Sequence, residues 1–299
     1  MLKRVFNIEQ DSYGFKTIFH ILIAIMTMLI GNMLASLPFD IYYSNIGYAE
    51  PTLVDIIVNN TIRPLLSIAF TLLLMFLYIK KGFMSSVDEF RIKKPKTIIT
   101  WIICGLALPA VVSCFFIICT PGTMQYNDFD NVQLTRIILG AIFSSCLVAG
   151  ITEEIVFRGF VMRILEKRWN KYVAIFVPSV LFALLHVFSM DMPSFLDLIM
   201  LTIAGSAVGV MFSLITYQSE SIWPAAIVHG LWNLIIIGGI LEIGGQPGKA
   251  LFTFTLNSES VILTGGSFGI ESSIPATIGY LLISLIAYML LNKNNRIHA

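Results

Sequence analysis

The chain has 299 residues, of which 57% are apolar and 12% charged. A soluble domain carries about 25% charged residues, so this balance excludes an ordinary soluble fold and points to an integral membrane protein whose first partner is the lipid bilayer. The formal net charge of +1 supplies no global basic field, so nucleic acid is not an expected partner.

Residues 1–16 are polar and mixed in sign, with Lys3, Arg4, Glu9, Asp11 and Lys16. The first apolar run, Thr17–Leu37, is longer than a signal-peptide core and is followed by no small-residue cleavage site, so it is expected to be a retained transmembrane helix. Further runs long enough to span, about 17–25 residues, are Ile62–Ile79, Ile98–Cys119, Leu134–Phe157, Tyr172–Phe188, Phe195–Tyr217, Ile222–Ile243 and Pro275–Leu291. The expected fold is therefore an all-α polytopic membrane protein of about eight transmembrane helices. Tyr42, Tyr43, Trp101, Trp169, Tyr172 and Trp223 sit at run ends, where aromatic rings suit the headgroup layer.

With the N-terminus inside, every Lys and Arg except Arg63, Arg136 and Lys249 falls in a cytoplasmic segment, Arg158 being counted among them. The positive-inside rule then sets both termini in the cytoplasm. The outer loops are acidic and polar, with Asp40, Glu50, Asp55, Asp128 and Asp130. In the last of them, alternation over Leu251–Leu256 followed by Val261–Leu263 predicts a small external β-hairpin. No repeat divides the chain. It reads as one membrane domain with an N-terminal region (1–133, three helices), a core (134–243, four helices) and an outer loop with a last helix (244–299). Cys104, Cys114, Cys119 and Cys146 lie inside apolar runs with no Cys-x-x-Cys or zinc-ribbon spacing and read as packing residues.

The groups that can do chemistry begin in Ala149-Gly-Ile-Thr-Glu-Glu-Ile-Val-Phe-Arg-Gly159, where two carboxylates and an arginine close an apolar run. Ionised groups at membrane depth cost a few kcal/mol each, so they mark function by default. On a helix Glu154 and Arg158 are four apart and can pair, whereas Glu153 has only Phe157 four residues on. Glu153 is thus the free carboxylate, suited to a general base. The small residues Ser144, Ser145, Cys146, Ala149 and Gly150 allow close helix approach. His186 follows in Ser179–Phe188, and His229 and Asn233 share one helix face, where two hydrogen-bond donors aimed at one point can stabilise an oxyanion. Each group has a structural alternative: an interfacial ion-pair network, a histidine bonded to a backbone carbonyl, and a polar seam between helices. Together an acid, a histidine and a donor pair on three helices match a hydrolytic site.

In order and spacing, Glu153-Glu154-x-x-x-Arg158, Phe182-x-x-x-His186 and His229-x-x-x-Asn233 resemble the CPBP family of intramembrane proteases, also called the CAAX protease and bacteriocin-processing, or Abi, family. It includes type II prenyl-protein endopeptidases of eukaryotes and archaea and many bacterial members. The resemblance covers roughly Leu134–Ile243. It implies that Glu153 with His186 activates water, that His229 and Asn233 form an oxyanion hole, and that Glu154 and Arg158 hold the site. It also implies a membrane-associated peptide or protein substrate, in peptide maturation, bacteriocin processing, self-immunity or prenyl-protein processing, and its bacterial branch makes a bacterial cell membrane the expected location.

No obligatory cofactor is expected. The alternative is zinc on His186, His229 and Glu153, a His₂Glu set with an open position, although the chain has no His-Glu-x-x-His. The site is expected to open to the cytoplasmic half of the bilayer and to lipid. Glu153 lies near the end of its apolar run while His186 is about 20 Å into its own, so the two meet only if the fourth helix tilts or continues past Arg158, or the fifth begins outside the hydrocarbon. Rival functions are a non-catalytic scaffold or immunity protein of the same fold, and a transporter. The transporter lacks sequence support in the form of inverted repeats.

Overall fold

The computed structural model describes residues 14–46 and 51–297. Lys3, Arg4, Glu9, Asp11, Glu50 and His298 lie outside the described residues. The elements in chain order are α1 (Phe15–Ile46), α2 (Leu53–Leu77), α3 (Ile99–Cys119), β1 (Gly122–Tyr126), α4 (Asn131–Arg168), α5 (Lys171–Leu185), α6 (Phe195–Ser219), α7 (Trp223–Trp232), β2 (Leu241–Ile243), β3 (Phe252–Leu256), α8 (Val261–Thr264) and α9 (Ile274–Ile297). Among the described residues seven helices are long and apolar enough to cross a membrane, and exposed side chains such as Leu22, Leu73, Ile118, Val180 and Leu282 are of the apolar kind that faces lipid. This is an integral, multi-pass membrane protein.

The seventh apolar stretch is shorter than its sequence suggests. Helix α7 runs on through one π turn, Asn233–Ile237, and stops there instead of continuing to Ile243. Gly238 and Gly239 end it: Gly239 takes φ +78°, and a Cβ on Gly238 would lie 2.6 Å from the Cβ of Ala141. The chain then turns into strand β2.

At the ends where the helices carry their basic residues, a strap of residues 83–98 closes the bundle. Phe90 is buried and stacks on Phe160 with ring centroids 5.2 Å apart. The strap is fastened to the α6–α7 turn: the Ile222 N–H donates to the Arg91 carbonyl at 3.0 Å, and the Ser221 hydroxyl to the Lys93 carbonyl at 2.6 Å. Lys93 and Lys96 both pair with Glu220.

The opposite end carries a three-stranded sheet of order β1-β3-β2. The strand expected within Leu251–Leu256 is present, but it forms no hairpin with 261–263, which is helical. Its partners are β1, antiparallel with Gly122 opposite Leu256, and β2, parallel with Leu241 opposite Phe252. Phe254 of β3 packs against the core around Trp232 and Ile243, but burial does not follow the alternation: Thr253 is buried and Phe252 is exposed. The pairing residues of β3 lie more than a hundred positions upstream and about ten upstream, where local patterning gives no cue.

Candidate active site

Helix α4 positions the two carboxylates. It is π-wound through Gly140–Glu153 and Ile155–Val161, a winding that in proteins concentrates at functional sites. It does not end near Arg158 but continues as an α-helix, Met162–Arg168. Glu153 and His186 are therefore each fifteen residues from the basic ends at Arg168 and Lys171, and reach a common depth. Arg158 accordingly belongs to no cytoplasmic segment: it is fully buried within the bundle.

Its two terminal nitrogens and its ring faces are compensated, while Nε has no hydrogen-bond partner among the described residues. Arg158 Nη1 donates to Glu154 Oε1 at 2.9 Å, the ion pair expected from the four-residue spacing, with both side chains at 0% exposure. Nη2 donates to the Gly209 carbonyl at 3.3 Å, and the guanidinium lies 4.7 Å from the Phe182 ring centroid and 5.0 Å from that of Phe212. Two buried charges without such geometry would cost more in desolvation than their attraction returns.

Glu154 Oε1 also meets His229 Nδ1 at 3.0 Å. A carboxylate accepts, so His229 carries its proton on Nδ1 and presents Nε2 on its other side, 3.9 Å from Glu153 Oε2. The imidazole is stacked on Phe212, with centroids 4.9 Å apart. The close approach of α4 and α7 sets this contact. A Cβ on Gly150 would sit 2.8 Å from the Ala226 carbonyl oxygen, and one on Gly230 would sit 2.9 Å from that of Cys146. Small residues upstream of Glu153 thus admit α7, as the sequence suggests.

His186 ends α5 and opens a 3₁₀ turn, His186–Ser189. Its Nδ1 donates to the Phe182 carbonyl at 2.7 Å, because a carbonyl can only accept. Nε2 of the neutral ring is then the free acceptor. The Phe182 and Phe268 rings flank it at 4.6 and 5.9 Å. Asn233 begins the π turn at the end of α7.

Glu153, His186, His229 and Asn233 line one cavity of about 230 Å³, with Phe182, Phe212 and Trp232 among its apolar walls. It runs away from the basic ends: Ser189 of the 3₁₀ turn and Phe268, Glu271 and Ser272 of the loop before α9 line it as well. A second cavity of about 480 Å³, floored by the glycine-rich segments around Gly244 and Gly266, shares Ile237, Phe268 and Glu271 with the first. The lining thus reaches toward the sheet end of the bundle and not toward the basic ends, where the sequence leads one to expect the opening. The strap of 83–98 covers the basic side, and the approach lies on the side of the sheet.

The zinc alternative does not fit these donors. Among the described residues, no three His, Cys, Asp or Glu side chains converge on a point where a metal could be held.

Residues 135–235 match the family described as type II CAAX prenyl endopeptidase Rce1-like. The matched stretch begins at the start of α4 and ends in the π turn after α7, so it contains all three motifs and the whole Glu153–Asn233 constellation. The resemblance read from those motifs and this match agree on a CAAX-type protease family. No curated protein matches the chain. Helices α1–α3, the sheet and α9 lie outside the Rce1-like stretch.

Sequence reasoning missed one acid of the cavity. Glu271 sits in the 3₁₀ turn Ile270–Ser272 and accepts from Trp232 Nε1 at 3.0 Å. Its signal was an acid four residues before the last apolar run, in otherwise apolar and serine context. Burial pushes its carboxyl above the usual carboxylate range, with the Trp232 bond and the nearby His186 and His229 pulling the other way.

Proposed function

We propose that the protein is an intramembrane endopeptidase that hydrolyses a peptide bond in a membrane-associated peptide or protein. The observation that carries this reading is the convergence of Glu153, His186, His229 and Asn233 on one cavity within the bundle.

Glu153 is the general base. It is the carboxylate left outside the Arg158 pair, and it takes a proton from the attacking water. The free Nε2 of His186 accepts the water's other hydrogen bond and orients it. As the water oxygen bonds to the carbonyl carbon, the carbonyl's π pair moves to its oxygen. That oxygen receives hydrogen bonds from the Asn233 amide and from His229 Nε2. Because Nδ1 is spent on Glu154, His229 donates through Nε2 only with both ring nitrogens protonated, and the carboxylates of Glu153 and Glu154 on either side stabilise that state. Donors held in place before the charge develops are worth about 10²–10³ in rate each. Glu154 and Arg158 fix the imidazole and touch no substrate.

The substrate class follows from the approach to the cavity. A cavity entered from the sheet side takes a segment lying at or beyond the surface opposite the basic ends. That placement favours maturation of an exported or surface-attached peptide over cleavage of a prenylated tail on the basic side.

The test is turnover of a mixed peptide pool by the purified protein in lipid nanodiscs in ¹⁸O-water, read by mass spectrometry. New carboxyl ends should carry the label with the native protein and be absent with Glu153→Gln. Equal labelled cleavage by both proteins would remove Glu153 from the chemistry. No cleavage by the native protein would leave a binding scaffold as the better reading.

A further inference from the structure

We infer that Glu271 is a second catalytic carboxyl group, the general acid that protonates the departing amine. This rests on the endopeptidase reading above and assigns the proton that Glu153, as base, does not supply.

Four observations converge on it. First, Glu271 lines the cavity that holds Glu153, His186, His229 and Asn233, and it also lines the larger cavity beyond. It stands where the two meet, on the path by which a cleaved fragment leaves toward the sheet side. Second, its side chain is held by the helix that carries the oxyanion donors: Trp232, next to Asn233, donates to Oε1 at 3.0 Å. With Oε1 occupied as an acceptor, the carboxylic acid proton resides on Oε2, the atom left to face a substrate. Third, its backbone is pinned, since the Tyr280 hydroxyl of α9 donates to the Glu271 carbonyl at 3.1 Å. Fourth, it makes no ion pair among the described residues, so nothing structural requires its charge, in contrast to Glu154. The titratable groups around it are His186 on the turn after α5, His229 on α7, Glu153 on α4 and Tyr280 on α9.

The proton account closes. Glu153 removes one proton from water as the new C–O bond forms. Collapse of the oxyanion reforms the carbonyl and breaks the C–N bond, and the nitrogen takes its proton from Glu271 and leaves as a neutral amine. Glu271 ends as a carboxylate and Glu153 as an acid, and one proton passed through cavity water from Glu153 to Glu271 restores both. The division resembles other enzymes in which two carboxyls in unlike environments take opposite roles. The raised carboxyl of Glu271 is the one suited to remain protonated.

The test compares two probes with one acyl peptide: an amide, whose amine needs a proton to leave, and the matching p-nitrophenyl ester, whose phenolate does not. Native protein and Glu271→Gln are assayed in nanodiscs. General acid catalysis is worth about 10²–10⁴ in rate, so Glu271→Gln should lose about 100-fold or more in kcat on the amide while its ester kcat stays close to native. Retained ester turnover also shows that the variant is folded. The native amide kcat should fall as pH rises through the Glu271 ionisation, and the ester kcat should lack that limb. Glu271→Asp should recover part of the amide rate. Equal losses on both probes would make Glu271 a structural residue, and an unchanged amide rate would remove it from the mechanism. Both results overturn the inference. If native protein cleaves neither probe, or if Glu153→Gln cleaves both as native does, it is the endopeptidase reading itself that fails.

Discussion

Gly150→Ala is the most exacting test of how the site is held. The added Cβ would lie 2.8 Å from the Ala226 carbonyl oxygen and 3.2 Å from the backbone N and Cα of Gly230. All three are main-chain atoms, so no rotamer change relieves the contact. Ordinary contact begins at 3.4 Å, so α4 and α7 must part by about 0.6 Å. The His229–Glu154 bond, 3.0 Å long and one turn further along α4, would stretch to about 3.6 Å, outside hydrogen-bonding range. Overpacking costs about 1–3 kcal/mol, and losing a hydrogen bond to a charged group adds about 1.5–3 kcal/mol. A displacement of this size at reacting groups lowers turnover by about 10- to 100-fold. The matched control is Gly140→Ala on the same helix, where the new Cβ would meet only the Asn60 side-chain oxygen, at 3.6 Å. There the replacement should stabilise by about 0.5–1 kcal/mol and leave turnover unchanged. Both variants are read by thermal unfolding in detergent and by cleavage of the peptide pool. A Gly150→Ala protein as stable and as active as Gly140→Ala would refute the claim that close α4–α7 packing sets the site.

Other consequences are equally specific. Arg158→Met strands a fully buried carboxylate and should cost about 3–5 kcal/mol, measured as unfolding; adding Glu154→Gln should recover much of that stability without restoring native turnover, because His229 still lacks its charged acceptor. Full recovery of turnover in the double variant would show that Glu154 does not position His229. Asn233→Leu removes one oxyanion donor and should lower kcat by about 10²–10³ with KM unchanged, whereas a rise in KM alone would make Asn233 a binding residue. Chelation with phenanthroline should leave turnover unchanged, since the donors at the site do not converge as metal ligands; activity lost on chelation and restored by zinc would contradict that reading.

Much of this architecture is written locally. Long apolar runs, basic residues at alternate run ends and the three motifs are all properties of short windows, so the helices, the multi-pass character and the set Glu153, Glu154, Arg158, His186, His229 and Asn233 are legible without a structure. What escaped depends on residues far apart in the chain. Arg158 looks like a boundary charge until α4 is seen to continue to Arg168 and the Gly209 carbonyl and the rings of Phe182 and Phe212 to close around it. The short α7 is decided by Gly238 meeting Ala141, and the partner of β3 is a strand that precedes it by more than a hundred residues. The direction of the cavity follows from two segments of modest sequence signal, the strap around Phe90 on one side and the turn bearing Phe268 and Glu271 on the other.

The central claim is that Glu153 cleaves peptide bonds in substrates at the membrane. The measurement that meets it most directly compares peptide termini in membranes from cells carrying the native protein or Glu153→Gln at equal abundance. The account predicts a small set of ends present with the native protein and missing with the variant, lying in segments on the side of the sheet. Identical termini in the two membranes, with the cellular phenotype intact in the variant, would contradict it.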